Sequence, residues 1–158
     1  MTTISPAPVH RTFTVNADPD RAFAMFVAMG RWWQPSHSIA PSGQANVTIE
    51  PRAGGRWYET GKDGEICQWG EVLVYEPPHR LVMIWGLSTQ WSYDPALRTE
   101  IEVTFTAEGT PEGTGTRVSF EHRNLDAYGD QMHEMSAQLG SDGGWTGLLG
   151  GFAAQFEA

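Results

Sequence analysis

Two ionisable side chains could carry acid–base chemistry, and His122 is the first of them. It continues the alternation of Val118 and Phe120, so it shares the apolar face of a predicted strand. An imidazole titrates near neutral pH, so one that faces a cavity could take up or release a proton there. The alternative is a histidine at a strand end, hydrogen-bonded to backbone or solvent.

Glu71 is the second acid–base candidate. In an unbroken strand over residues 66–75, it shares a face with Trp69 and Leu73. If that face points inward, burial would raise the pKa of the carboxyl group and suit it to proton transfer. If it points outward, Glu71 is a surface charge. A bulge at Gly70 would exchange the two faces.

Other reactive or ligating groups show weaker patterns. Cys67 is the one cysteine, which excludes an intrachain disulfide and a cysteine-rich zinc site, and no His or Asp adjoins it as a nucleophile's partner. The histidines fit neither a helical HExxH motif nor a zinc finger, so we predict no metal, no cofactor and no specific catalytic set. Four arginines could pair with a ligand carboxylate or lie at the surface: Arg56, Arg98, Arg117 and Arg123.

The aromatic side chains give the strongest positive signal. The chain has 7 Trp, 7 Phe and 4 Tyr, and so many indoles overfill the core of an ordinary small domain. We expect some of them to line a cavity for a flat apolar ligand, with a purely packed core as the alternative. The predicted lining residues are Trp32, Trp33, Trp57, Trp69, Glu71, Trp85, Phe105, Phe120, His122, Trp145, Leu149 and Phe152.

The elements that must position these residues follow from local patterns. We predict a flexible tail over residues 1–8 and a single domain over residues 9–158. Residues 9–15 alternate as a strand, and Asp18-Pro19 begins a short helix that Gly30 ends, with room for a second helical turn after it. Residues 47–122 then read as a run of about six strands separated by turns.

The C-terminal part switches to helical spacing. Residues 125–140 predict a loop or a short helix, and Ser141 or Asp142 is the predicted cap of a final helix of three turns or more. Its apolar stripe is Trp145, Leu148, Leu149, Phe152, Ala153 and Phe156. Such an order predicts an α+β domain in which an antiparallel sheet curls around the last helix and leaves room for a cavity.

Several motifs resemble the SRPBCC (START-like, birch-pollen-allergen-like) superfamily, and within it the branch of homologues of the activator of the ninety-kilodalton heat-shock protein ATPase. They are Asp18-Pro19-Asp20-Arg21-Ala22-Phe23, Arg31-Trp32-Trp33, Gly54-Gly55-Arg56-Trp57, residues 70–82 (GEVLVYEPPHRLV) and Gly144-Trp145. The resemblance implies a helix-grip fold: about seven curved antiparallel strands around a long C-terminal helix, with an internal apolar cavity. The superfamily includes lipid carriers, hormone receptors, and polyketide cyclases and aromatases, so it implies no single activity.

The charge balance narrows the class of partner. The formal net charge is −9, from 10 basic and 19 acidic residues, which disfavours nucleic acid and anionic membranes as partners. The N-terminus lacks the pattern of a signal peptide, and no apolar run approaches the ~20 residues of a membrane span. We therefore expect a cytoplasmic protein, monomeric or homodimeric.

Three functions remain open at this point. The first is binding of a small hydrophobic or aromatic molecule in the cavity. The second is a cyclase-like, aromatase-like or hydrolase-like enzyme that uses His122 or Glu71 for acid–base chemistry, favoured if two buried titratable groups face each other. The third is regulation of a chaperone ATPase through protein contacts, which would need a broad exposed apolar patch.

Overall fold

The computed structural model describes residues 6–111 and 113–157, and seven strands within them form one antiparallel sheet. The strands are β1 Val9–Val15, β2 Gln44–Ile49, β3 Arg56–Gly61, β4 Ile66–Glu76, β5 Arg80–Trp85, β6 Thr99–Thr110 and β7 Gly113–Arg123. Their order across the sheet is β1-β7-β6-β5-β4-β3-β2. The curled sheet confirms the predicted helix-grip fold. Of the predicted tail, residues 1–5 lie outside the described residues, and 6–8 have no regular secondary structure.

The first helix, α1 (Pro19–Val27), begins where the sequence predicts. Asp18 Oδ1 accepts a hydrogen bond of 2.9 Å from the backbone N–H of Arg21, and proline occupies the first turn. The predicted end at Gly30 is wrong, because the backbone leaves the helical conformation at Ala28, with φ −78° and ψ 51°. A 3₁₀ turn over Met29–Arg31 follows.

The C-terminal segment contains two helices. The 3₁₀ turns of Leu125–Gln131 lead into α2 (Met132–Leu139), and α3 (Trp145–Ala153) continues as a 3₁₀ turn over Ala154–Phe156. The predicted cap at Ser141 or Asp142 is wrong: residues 140–144 form a bend, and α3 begins after Gly144 without a side-chain cap. No helix in the described residues is long and apolar enough to span a membrane.

Helix α3 packs its apolar stripe against the sheet and α1. The Phe152 ring lies 6.1 Å from Phe13 in β1 and 5.4 Å from Phe26 in α1, measured between ring centroids. A Cβ on Gly151 would lie 3.3 Å from the backbone oxygen of Trp32, so a small residue permits this close approach. Burial of such large side chains contributes about 1.5–3 kcal/mol each.

Two irregularities in β4 decide which of its side chains face inward. Trp57 pairs with Gly70, but Tyr58 pairs with Gln68, so Trp69 is an extra residue in β4. The pairing with β5 shifts again between Val72 and Val74. Each extra residue reverses the inward and outward alternation of the side chains that follow it.

Of the two positions left open for Glu71, the structure shows the outward one, which corrects its place among the predicted lining residues. Trp69 and Val72 are buried, whereas Glu71 lies between them on the outer face and forms an ion pair of 2.8 Å with Arg98. The bulge beside Gly70 separates Trp69 and Glu71 onto opposite faces. Glu71 consequently does not reach the interior.

Candidate functional site

A cavity of about 290 Å³ opens between the corner that joins α2 to α3, the loop after the first 3₁₀ turn, and strands β4 and β5. It is partly open to solvent. Its lining residues are Trp33, Ser36, His37, Ser38, Ile39, Trp69, Trp85, Leu87, Trp91, Gln138, Leu139, Gly143, Gly144, Trp145 and Leu148. Aromatic and aliphatic side chains supply most of this wall, as in typical small-molecule sites.

Four indole rings in mutual contact line the cavity, and we call Trp33, Trp69, Trp85 and Trp145 the tryptophan box. Neighbouring centroids are 5.0 Å (Trp33–Trp69), 6.3 Å (Trp69–Trp85), 5.4 Å (Trp85–Trp145) and 5.8 Å (Trp145–Trp33) apart. These are ordinary distances for tilted and edge-to-face aromatic pairs. A fifth indole, that of Trp91, lies at the mouth and is 40% exposed.

Each indole N–H of the tryptophan box donates a hydrogen bond to an acceptor within the protein. The acceptors are the His37 backbone oxygen (2.9 Å) for Trp33, Glu59 Oε1 (3.3 Å) for Trp69, the Tyr128 hydroxyl (3.1 Å) for Trp85 and His122 Nδ1 (3.0 Å) for Trp145. An indole has no other polar group, so these bonds set each ring's orientation. The box therefore presents its apolar surface to the cavity.

His122 is fully buried, does not line the cavity, and accepts a hydrogen bond from the Trp145 indole. Since the indole can only donate, Nδ1 carries no proton and Nε2–H donates to Thr99 Oγ1 at 2.8 Å. The Thr99 hydroxyl in turn donates to the Trp85 backbone oxygen at 2.7 Å. Burial lowers the pKa of His122 to about 3. Both ring nitrogens are thus occupied, and His122 positions Trp145 and is not a proton donor to a ligand.

Tyr128 orients the Trp85 ring in the same way, through a hydrogen bond with its indole N–H. Its hydroxyl accepts from the indole and donates to the Leu87 backbone oxygen at 2.7 Å. Burial raises the pKa of Tyr128 to about 12, so the hydroxyl keeps its proton. This bond connects β5 to the 3₁₀ segment before α2.

Glu59 is a fully buried carboxylate directly behind the wall formed by Trp69. Oε1 accepts from the Ile39 backbone N–H at 2.9 Å as well as from the Trp69 indole. Oε2 accepts from the Ser38 hydroxyl and from the Gln44 amide. These four donors suit the acceptor oxygens of an ionised carboxylate.

His37 is the only titratable side chain among the lining residues of the described chain. Its Nε2–H donates to the Gly143 backbone oxygen at 2.7 Å, which leaves Nδ1 as an acceptor 3.3 Å from Ser36 Oγ. The ring is half-buried and bridges the loop over residues 36–39 to the turn before α3. A ligand that enters the cavity would meet this imidazole.

The predicted lining residues divide into four groups. Four of them form the tryptophan box, and His122 lies one hydrogen bond behind it. Glu71 is on the outer face. The remaining residues pack in the core and do not line this cavity: Trp32, Trp57, Phe105, Phe120, Leu149 and Phe152.

The other candidates of the sequence lie away from the cavity. All four arginines form ion pairs, with Glu50 for Arg56, Glu71 for Arg98, Glu108 for Arg117, and Glu100 and Glu102 for Arg123. Burial raises the pKa of the Cys67 thiol, which lowers its reactivity. No group of three or more potential metal ligands comes together within residues 6–111 and 113–157.

Sequence reasoning missed His37, Trp91 and Glu59. The first two lie in loops without periodicity, where no pattern predicts the direction of a side chain. Glu59 did carry a signal, because it is two residues from Trp57 in a short strand and shares its inward face.

The chain is similar to known proteins over nearly its whole length. The model of one family, activator of Hsp90 ATPase homolog 1-like protein, matches residues 16–157. Among the proteins with curated descriptions, none matches significantly.

Three solved structures show the range of similar proteins. An anthrahydroquino-gamma-pyrone synthase, Txn09, is 34% identical with a TM-score of 0.64, over 95% of this chain and 97% of its own. CalC from Micromonospora echinospora, a self-sacrificing resistance protein, is 30% identical with a TM-score of 0.69, over 94% and 93%. The Aha1 dimer from Colwellia psychrerythraea, at 15% identity and a TM-score of 0.59 over 96% and 97%, shares the fold.

Proposed function

The chain belongs to the family of activator of Hsp90 ATPase homolog 1-like proteins, and we propose that its cavity binds a small, flat molecule made of fused aromatic rings. The tryptophan box is the observation that carries this proposal. Its four rings pack against one another and all line the same cavity, so they form one continuous aromatic wall. The 34% identical relative is named as a synthase of an anthrahydroquino-gamma-pyrone, which is a fused-ring molecule of this class.

The energetics favour a flat aromatic ligand over a flexible chain. The hydrogen bonds of the indole N–H groups already hold the rings in place, so little side-chain entropy is lost on binding. An aromatic contact adds about 0.5–1.5 kcal/mol beyond the burial of its area. The volume of about 290 Å³ lies near the lower limit of ligand sites, which favours a molecule of few rings.

A titration of tryptophan emission tests this function. We expect chrysophanol, a three-ring dihydroxyanthraquinone with one methyl group, to quench the emission saturably at micromolar concentrations, and lauric acid to leave it unchanged. In Leu148→Phe a larger ring enters the cavity, so affinity should fall at least about tenfold. The matched control Leu73→Phe places the same change on the exposed face of β4 and should bind normally. Absence of saturable quenching, or equal affinity of the two variants, would refute the proposal.

A second candidate function is proton transfer to or from the bound ligand by His37. The observation that favours it is an imidazole that lines the cavity and has an unprotonated Nδ1, whose one partner within the described residues is the exposed Ser36 hydroxyl at 3.3 Å. In such a step a C–H bond conjugated through the ring system with a ligand carbonyl breaks, the proton passes to Nδ1, and the electron pair is delocalised onto the carbonyl oxygen as an enolate. The base would thus be His37 in place of His122 or Glu71.

Deuterium exchange into anthrone tests this chemistry without knowledge of the natural substrate. In deuterated buffer, the wild-type protein should accelerate loss of the C10 proton signal in NMR spectra. His37→Gln should reduce the rate to that of buffer, while the control His133→Gln, at an exposed position, should leave it unchanged. Equal exchange rates with and without wild-type protein would exclude this role.

Regulation of a chaperone ATPase, the activity in the family's name, has less support. It needs a broad apolar docking surface. The large apolar side chains exposed within the described residues are Ile66, Leu73 and Trp91. The first two are seven residues apart along one strand, a separation of about 23 Å, and the third lies at the cavity mouth.

A further inference from the structure

The charge around the cavity carries a further inference about the ligand, which rests on the proposed function. The Glu59 carboxylate is hydrogen-bonded directly to residues of the cavity wall, so its negative charge lies close to the cavity. Three of its hydrogen-bond donors, Ser38, Ile39 and Trp69, are themselves lining residues. The carboxylate is fully buried, so water screens its field poorly on the cavity side.

No cation offsets this charge in the part of the chain that the structure describes. The ion pairs found there all involve other carboxylates. No Lys or Arg lines the cavity. The arginines that the sequence offered as partners for a ligand carboxylate are paired with glutamates elsewhere.

The neutral donors near Glu59 are also occupied. A ligand anion without a cation would need N–H or O–H groups aimed at it. The Ile39 N–H, the Ser38 hydroxyl and the indole of Trp69 instead point at Glu59. An anion in this corner would lose its hydration and meet a second negative charge without compensation.

We propose that the cavity selects fused-ring ligands without a negative charge and rejects those that bear a carboxylate. Glu59 is the specificity-determining residue, and it acts from behind the wall without touching the ligand. Phenols and amines fit this environment, because a hydroxyl group is neutral and an ammonium group would be attracted to Glu59.

The test compares two ligands with one ring system. Chrysophanol and rhein are the same dihydroxyanthraquinone, and rhein carries a carboxylate where chrysophanol carries a methyl group. At pH 7.5 and low salt, we expect wild-type protein to bind rhein at least about tenfold more weakly. If both bind with equal affinity, the proposed function stands and this inference is overturned. If neither binds, the proposed function is wrong and the inference falls with it.

Two charge-neutralising variants test whether Glu59 causes the weaker binding of rhein. Glu59→Gln should narrow the affinity ratio of the two ligands to about threefold or less, because the repulsive charge is gone. Glu71→Gln removes an equal charge from the outer face and should leave the ratio unchanged. Circular dichroism checks that each variant is folded, and the wild-type ratio stands as a test even if Glu59→Gln does not fold. An unchanged ratio in folded Glu59→Gln would overturn the role of Glu59.

Discussion

His122 can take up a second proton only if the hydrogen bond from the Trp145 indole breaks. The folded protein therefore keeps this imidazole neutral, with a pKa of about 3, whereas the unfolded chain protonates it below about pH 6.5. The contribution of the neutral His122 imidazole to the free energy of unfolding is fully present above about pH 6.5. It is lost as the pH falls towards 3, because the unfolded state then binds the extra proton.

Urea unfolding between pH 7 and pH 4 measures this effect. Below pH 6.5 the wild-type protein should lose about 1.4 kcal/mol per pH unit more than His122→Gln, which cannot titrate. Acidic groups such as Glu102, whose pKa is lowered by Arg123 and Arg80, contribute equally in both proteins. The exposed control His10→Gln should follow the wild type. Parallel curves for wild type and His122→Gln would contradict the buried neutral imidazole.

Comparison of two buried tryptophans separates the stability contributed by the indole hydrogen bond from that contributed by burial of the ring. Trp145→Phe leaves His122 Nδ1 without its donor, whereas the Trp57 indole N–H has no partner within the described residues. Both rings are buried, so both substitutions remove similar area. We expect Trp145→Phe to lower the free energy of unfolding by about 1–3 kcal/mol more than Trp57→Phe. Equal losses in urea titrations would show that the bond to His122 has no structural role.

At the scale of single residues, the sequence predicts which types of side chain form the site better than it predicts which way each side chain points. The abundance of indoles predicted an aromatic cavity wall, and four of the predicted tryptophans line the cavity. It could not separate them from Trp32 and Trp57, because core and cavity positions share the same inward faces. Glu59 shows the converse: its alternation with Trp57 was a signal for an inward position, but its donors come from Ser38, Ile39, Gln44 and Trp69, which the tertiary structure brings together.

At the scale of elements, the bulge in β4 decides how the cavity wall is built. The extra residue at Trp69 turns this indole inward and Glu71 outward. Gly70 makes the arrangement possible, because a Cβ there would lie 1.6 Å from the Ile84 backbone oxygen in β5. A glycine is thus required where two backbones approach closely.

A pair of glycine substitutions tests this account. Gly70→Ala forces β4 and β5 apart, so we expect a loss of at least about 2 kcal/mol of stability, in the range of buried overpacking. Gly109→Ala adds the same methyl group to β6, where no atom lies within 4 Å, and should change stability by less than about 0.5 kcal/mol. Thermal or urea unfolding of the two variants gives the comparison. Equal stability would contradict the close approach at Gly70.

Most elements could be predicted because their signals are local. The Asp18-Pro19 start and the alternation of the strands act within a few residues. The register shifts of β4 arise from pairing with β3 and β5, and the start of α3 depends on the bend after α2. Gly70 marks a possible bulge, but the local pattern does not show whether the bulge forms, and nothing local marks the start of α3, which explains the errors at Glu71 and at the predicted helix cap.

At the scale of the whole molecule, a negatively charged protein encloses a small cavity with apolar walls. The family resemblance predicted the sheet that curls around the last helix, and the described residues confirm it. The net charge of −9 agrees with the absence of Lys and Arg from the lining residues. The position of the cavity could not be predicted, because it depends on where two loops meet the start of α3.

The most direct test of the account is the set of indole N–H signals in a ¹⁵N-labelled sample titrated with chrysophanol, assigned by single Trp→Phe variants. We predict that Trp33, Trp69, Trp85 and Trp145 shift together and saturate at one concentration, with Trp91 affected at the mouth. Trp32 and Trp57 should stay unchanged. No saturable shift, or shifts confined to indoles outside the tryptophan box, would contradict a ligand site in this cavity.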